Sequence, residues 1–210
     1  MKVLSIDIGI INLGYVFAEI IDYSENVNKL LFKLNKKVCY SEQFKETILK
    51  NVNIISCGRV DITNMKHSLV PRHLCTLHHD FCIPDYLDHF IQEHQSMFDC
   101  SDTIILERQP PTGITNVQDL LFKRFRHKVI MVSPTCVHGY FCLSKDYNTR
   151  KLESEKISTD FLKKFDNFNN NIRKHDISDS LLMLVYYYNQ QCIEYTNFNK
   201  KIIDFEKFRL

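Results

Sequence analysis

Three apolar runs precede the first amphipathic helix, and that order limits what this chain can fold into. Val3-Leu-Ser-Ile-Asp-Ile-Gly reads as a buried strand, and Leu13–Ile21 as a second after a tight connection. Val52–Val60 is the third. Helical periodicity begins only afterwards, with Pro84 at a first helical position and Leu87, Phe90, Ile91, His94 and Phe98 forming one stripe. Strand and helix then alternate. A turn at Asp99–Asp102 leads into a strand at Thr103–Glu107, and Ile114, Val117, Leu121 and Phe125 stripe the next helix. A strand at Val129–Val132 stops at Pro134. The polar stretch 144–174 has helical period at Ile157, Phe161, Leu162 and Phe165, and a last helix is expected from Asp176 to Gln190. This order predicts an α/β fold with a mixed five-stranded sheet covered by helices on both faces. Residues 22–50 are polar and rich in Lys and Asn, and read as an insertion or extended hairpin. The length of 210 residues suits one domain spanning 1–210.

Charge narrows the classes of partner. With 27 basic and 25 acidic residues the net charge is +2, which excludes a histone-like polycation, so any nucleic-acid surface must be a local patch. Two segments exceed the whole: 108–128 carries net +4 and 145–174 net +3. The stretch Val3–Ile21 is interrupted by Asp7, Asn12 and Glu19, so neither a signal peptide nor a membrane span is expected, and no membrane partner. Eight cysteines without a Cys-x-x-Cys pair read as reduced thiols of a cytosolic protein. Cys75-Thr-Leu-His78-His79-Asp-Phe-Cys82 would put Cys75, His78, His79 and Cys82 on one face if helical, a set zinc accepts. Structural zinc sites usually draw their ligand pairs from separate elements, so a half-buried Cys/His segment without an ion is the favoured reading.

Acidic residues in unsuitable places carry the chemistry. Asp7 interrupts an apolar strand, where an unpaired carboxylate costs several kcal/mol. Gly9 and Gly14, two of only five glycines, follow it and are expected to let the backbone turn tightly. Glu107 ends an apolar strand, and acids at strand ends are well placed for a site at a sheet edge. Asp176 and Asp179 share a helix face near its N-terminus. Each has an ordinary alternative: turn former, solvated strand end, helix cap. Brought together, the four would repel one another without cations. Two Mg²⁺ ions, or Mn²⁺ in their place, are the natural remedy, and paired metals suit phosphodiester hydrolysis.

Ser-Ile-Asp7-Ile-Gly9-x-x-x-x-Gly14, then Ile-Leu-Glu107-Arg-Gln109, then Asp176-x-x-Asp179-x-Leu resembles, in order and context, the RuvC-like Holliday junction resolvases of the ribonuclease H superfamily. The chain looks similar to the poxvirus branch, which suits the A+T-rich coding bias suggested by a single alanine, Ala18. The resemblance covers most of 1–20 and 103–190. It implies a ribonuclease H-like fold and a metal-binding catalytic cluster of Asp7, Glu107, Asp176 and Asp179. It also implies a homodimer that makes symmetric paired nicks in four-way junctions or branched intermediates, leaving 5′-phosphates. Its setting would be the host cytoplasm, with no small-molecule cofactor. A positive side chain near the scissile phosphate is expected as well, for which Lys156 and Lys151 are chosen. His138 stands where bacterial relatives have an early lysine. His175, beside Asp176, is a candidate proton shuttle, though a place at the helix start is the commoner role. DNA contacts are assigned to Arg108, Gln109, Lys123, Arg124, Arg126, Lys145, Arg150 and Lys174, against the alternative of a solvated helix face. Phe125 is expected in the core, and Tyr186–Tyr188 in the core or a dimer contact. An actin-like or sugar-kinase ATPase shares the Asp-x-Gly loop, but 210 residues leave no room for its duplicated lobe. A nuclease for RNA–DNA hybrids or other branched DNA, and an inactive junction-binding protein, remain alternatives.

Overall fold

A computed structural model describes residues 1–22, 40, 42–67 and 73–207. Five strands form one sheet in the order β3-β2-β1-β4-β5: β1 (Lys2–Asp7), β2 (Leu13–Ile20), β3 (Val52–Val60), β4 (Thr103–Glu107) and β5 (Val129–Val132). β1, β2 and β3 pair antiparallel, while β4 pairs parallel with both β1 and β5. Sheet polarity therefore changes at β1, which meets β2 antiparallel on one side and β4 parallel on the other, and the chain reaches β4 and β5 through helical connections.

Alternation along the strands divides the core in two. On one face Val3, Val16, Ala18 and Ile105 pack with Ile177, Leu181, Leu184 and Tyr188 of the long helix α8 (Lys174–Lys207). α6 (Tyr147–Leu162) lies against α8 and supplies Phe161 and Leu162 to the same core. On the other face Leu4, Ile6, Ile104 and Leu106 pack with α2 (Ile83–Glu93), α3 (Gln95–Cys100) and α4 (Thr115–Arg124) through Phe90, Phe98 and Leu121. Among the described residues no helix is long and apolar enough to cross a membrane, and the described cysteines are free thiols.

Three expectations change. Residues 23–39 and 41 lie outside the described residues, but the end of the expected insertion or hairpin is a helix, α1 (Glu42–Asn51), which buries Phe44 and Ile48 one turn apart. Pro134 does not only end β5; it opens α5 (Pro134–Tyr140), where a missing N–H costs nothing. The stripe through His94 and Phe98 belongs to two helices, because the backbone departs from helical geometry at His94. Between α6 and α8 sits one further turn, α7 (Asp166–Asn169).

Candidate active site

Strand register brings the first two acids together. Ile6 lies opposite Leu106 in the parallel pair, so Asp7 and Glu107 follow side by side at the carboxyl ends of β1 and β4. The start of α8 adds Asp176 and Asp179, and all four line one cleft of about 600 Å³. Helix and strand are locked there by Ser180, whose hydroxyl accepts from the Asp7 N–H (3.1 Å) and donates to the Asp176 carbonyl (3.2 Å). Gly14, paired with Asp7 across the β1–β2 ladder, is needed for the same approach: a Cβ there would overlap the Asp176 carbonyl. A Cβ at Gly9 would likewise overlap the Asn12 carbonyl. Neither glycine has positive φ. Close approach, not left-handed backbone, accounts for both.

The cluster is electrostatically unfavourable as an all-protein assembly. Burial raises the Asp7 pKa well above the ordinary carboxylate range, and the charges of Glu107 and Asp179 raise it further. Glu107 is raised too, first by burial, with the Asp179 charge adding to it. Asp7 and Glu107 are hydrogen-bonded to each other. This is a set of oxygen donors with too few positive partners, the condition a divalent cation relieves. The residues present thus fit a hard-cation site.

Each remaining carboxylate has a protein partner. Lys151 of α6 forms an ion pair with Asp179. Burial works against the Lys151 charge, yet the Asp179 carboxylate, with Asp7 and Tyr147 adding to it, holds the ammonium pKa above its usual value. Arg173 Nε donates to Asp176 at 3.0 Å. His175 lies between Glu155 and Asp176, 3.3 Å from an oxygen of each, and Gln109 donates its side-chain amide to Glu107. His138 of α5 lines the cleft with its pKa lowered, by burial first and then by the nearby Arg150 charge.

The basic residues separate into groups. Gln109, Arg150 and Lys151 line the acidic cleft. Lys156 does not: five residues beyond Lys151 is a rotation of about 140° round the helix, and Lys156 is exposed on a different hollow beside Phe141 and Ile157. Arg108 and Lys145 are exposed, and the Arg108 backbone N–H donates to the Val132 carbonyl (2.8 Å). Lys123 and Arg124 lie over a separate groove between α2 and α4, where Arg124 pairs with Asp88. Arg126 is exposed, and Lys174 sits 5.5 Å from the Phe168 ring centroid. Lys128, part of the same basic segment, donates to the Phe98 and Ser101 carbonyls and so ties down the end of α3. Phe125, Tyr187 and Tyr188 are buried in the core. Sequence reasoning missed Arg173 and Tyr147, which line the cleft; both lie in the polar stretch whose packing no periodicity discloses.

Neither family models nor curated proteins give a match. Solved structures do. A fowlpox virus resolvase in complex with substrate Holliday junction DNA superposes with a TM-score of 0.56 at 18% identity, over 91% of this chain and 99% of that one. The fold is that of the fowlpox virus resolvase. A second structure, of the fowlpox virus Holliday junction resolvase, gives 0.54 at 16% identity, over 91% and 99%. Thermus thermophilus RuvC gives 0.44 at 12%, over 91% and 98%. The expected ribonuclease H-like mixed sheet is thus the observed architecture.

Proposed function

We propose that this chain is a structure-selective DNA endonuclease that resolves four-way junctions and branched intermediates by symmetric paired nicks. The observation that carries the reading is the convergence of Asp7, Glu107, Asp176 and Asp179, from three separate segments, on one cleft at the carboxyl end of the β1–β4 pair. The fowlpox neighbour, solved with junction DNA, supports the choice of substrate.

Asp7, Glu107, Asp176 and Asp179 would hold two Mg²⁺ ions, with Mn²⁺ an acceptable substitute. When bound, such ions supply the charge that favours water attack on phosphorus and departure of the 3′ oxygen, leaving a 5′-phosphate. The chain's own groups set the geometry. Asp7 is fixed from behind by Ser180, Glu107 is aimed by Gln109, and Asp176 is held by Arg173 with His175 alongside. Lys151 lines the same cleft beside Asp179, where its ammonium would face a non-bridging phosphate oxygen of bound DNA. Arg150, stacked on Tyr147 (5.5 Å to the ring centroid), offers the next positive charge along the rim. Two copies of the chain, each one domain, would present two such clefts to opposing strands.

The test is cleavage of a synthetic four-way junction beside linear duplex and RNA–DNA hybrid, with Mg²⁺. Paired, ligatable nicks in the junction alone are expected. Equal cleavage of linear duplex would refute structure selectivity, and preference for the hybrid would favour another substrate on the same chemistry.

A further inference from the structure

A second ligand cluster lies away from the cleft. Residues 73–82 are not helical, so Cys75, His78, His79 and Cys82 do not share a face; the segment instead runs as turns across α2. There Cys75 and His79 meet His89, which comes from the buried side of α2 and is only 1% exposed. Their donor atoms all lie within 4.8 Å of one another. Cys82 and His78 are exposed and lie outside the group.

The geometry points to a zinc site made by Cys75, His79 and His89, which pins the 73–82 segment to α2. Bond lengths of about 2.3 Å to sulfur and 2.0–2.1 Å to nitrogen, at an angle of about 109°, place the two donors about 3.6 Å apart. Cys75 Sγ and His89 Nε2 are 3.5 Å apart. His89 Nδ1 donates to the Asp85 carbonyl at 2.7 Å, which leaves the Nε2 lone pair directed at the sulfur. Such a backbone bond on the far nitrogen is what orients metal-ligating histidines. The His79 ring lies 4.8 Å from that of His89, centroid to centroid, and its Nε2 is buried with no hydrogen-bond partner. That orphaned nitrogen is the observation an isolated S–H···N contact between Cys75 and His89 leaves unexplained. Closing the set to tetrahedral spacing needs a shift of about 1–1.5 Å, small for a half-buried side chain on a turn.

The surroundings agree with a clamp. The Asp80 N–H donates to the buried Asp85 carboxylate, so the segment is already fastened to the same turn of α2 that orients His89. Phe81 adopts φ 57°, a strained conformation for a residue with a side chain, which a fixed segment can sustain. Sulfur and imidazole donors select zinc over the hard cations suited to the carboxylate cleft. Three protein ligands leave the fourth position to water, which reaches the cluster past the half-buried Cys75 and His79.

The test is elemental analysis of the full-length protein, grown with zinc and purified without chelator. About one zinc per chain is expected, unchanged in Asp7→Asn and near zero in Cys75→Ser and His89→Gln. Cobalt-loaded wild type should show an intense near-ultraviolet thiolate-to-metal band that Cys75→Ser lacks. That band can be read on the wild type alone, should His89→Gln fail to fold, and His79→Gln gives a third ligand variant outside the core. Absence of zinc from the wild type would overturn the site. So would zinc retained by the ligand variants, zinc lost from Asp7→Asn, or a cobalt spectrum without the thiolate band.

Discussion

The two ligand clusters of this chain differ in every respect that decides what they hold. The cleft gathers four carboxylates from strand ends and a helix start spread over positions 7–179, and it is open at a sheet edge. The other gathers sulfur and two imidazoles from residues 75–89, against one helix of the opposite layer. The first needs the whole sheet to exist, because β1, β4 and α8 each contribute. The second needs only α2 and the turn segment before it. Oxygen donors under mutual repulsion call for hard, exchangeable cations, whereas sulfur and nitrogen donors around an oriented histidine suit a retained one. On the proposed readings, the first cluster would serve catalysis and the second scaffolding within one chain.

The sharpest way to break that separation is at Asp7. Asp7→Asn removes the carboxylate that contacts Glu107 while keeping the shape of β1, so cleavage should fall by roughly 10³-fold or more. Junction binding and bound zinc should both stay near wild-type values. Full nuclease activity in this variant, measured in single-turnover gels, would remove the cleft from the mechanism. Lys151 gives a smaller and more discriminating effect. Lys151→Met should slow cleavage by about 10²-fold, as loss of a charge facing the phosphate does. Lys156→Met, on the far side of α6, should change it by about twofold at most. Equal losses in the two variants would mean that the helix acts through overall charge rather than through one positioned ammonium.

How far the cleft could be read beforehand depended on which residues carry their own signal. Asp7 and Glu107 stood out because a carboxylate in an apolar run is costly, and β3, β4 and β5 were legible to the residue because turn formers bound them. Arg173 and Tyr147 gave no signal: their roles arise from how α6 packs on α8, at separations no periodicity encodes. Lys156 is as plausible as Lys151 in the sequence for the same reason, since charge alone does not say which face of a polar helix turns inward. α8 runs to Lys207, well past the expected end at Gln190, and Tyr195, Phe198, Ile202 and Phe205 recur at helical spacing along that extension. His89 carries no signal of its own in the sequence, and only the path of residues 73–82 makes it a candidate ligand.

Gly14 tests the mechanical half of the comparison. Its backbone lies against the Asp176 carbonyl, so Gly14→Ala must push α8 from β2 or strain the strand. A cost of about 1–3 kcal/mol is expected, seen as a drop of several degrees in Tm, since about 2–4 °C accompanies each kcal/mol at this size. Cleavage should weaken with it because Asp176 and Asp179 move together. The zinc content should not change, as no part of the Cys75 cluster touches this contact. A Gly14→Ala protein with unaltered Tm and activity would show that the β2–α8 approach is looser than the structure has it.

The smallest effect is a pH dependence that belongs to one cluster alone. In chelator, Asp7 and Glu107 keep protons in the fold at pH values where the unfolded chain has released them, because burial raises both, with the Glu107 and Asp179 charges adding at Asp7 and the Asp179 charge at Glu107. The folded state then binds more protons than the unfolded one, so stability falls as pH rises from the ordinary carboxylate range through the raised values, and the penalty is full above them. Asp7→Asn removes one of the two charges. Its Tm should therefore match the wild type at about pH 4 and exceed it by about 2–4 °C at about pH 8, both in chelator. Millimolar Mg²⁺ should close that gap by stabilising the wild type, since binding to the folded state alone raises its Tm. Cys75→Ser should leave the slope with pH as it is in the wild type. A flat difference between Asp7→Asn and wild type, measured by scanning fluorimetry across this range, would show that the buried Asp7 carboxylate is not penalised in the metal-free fold.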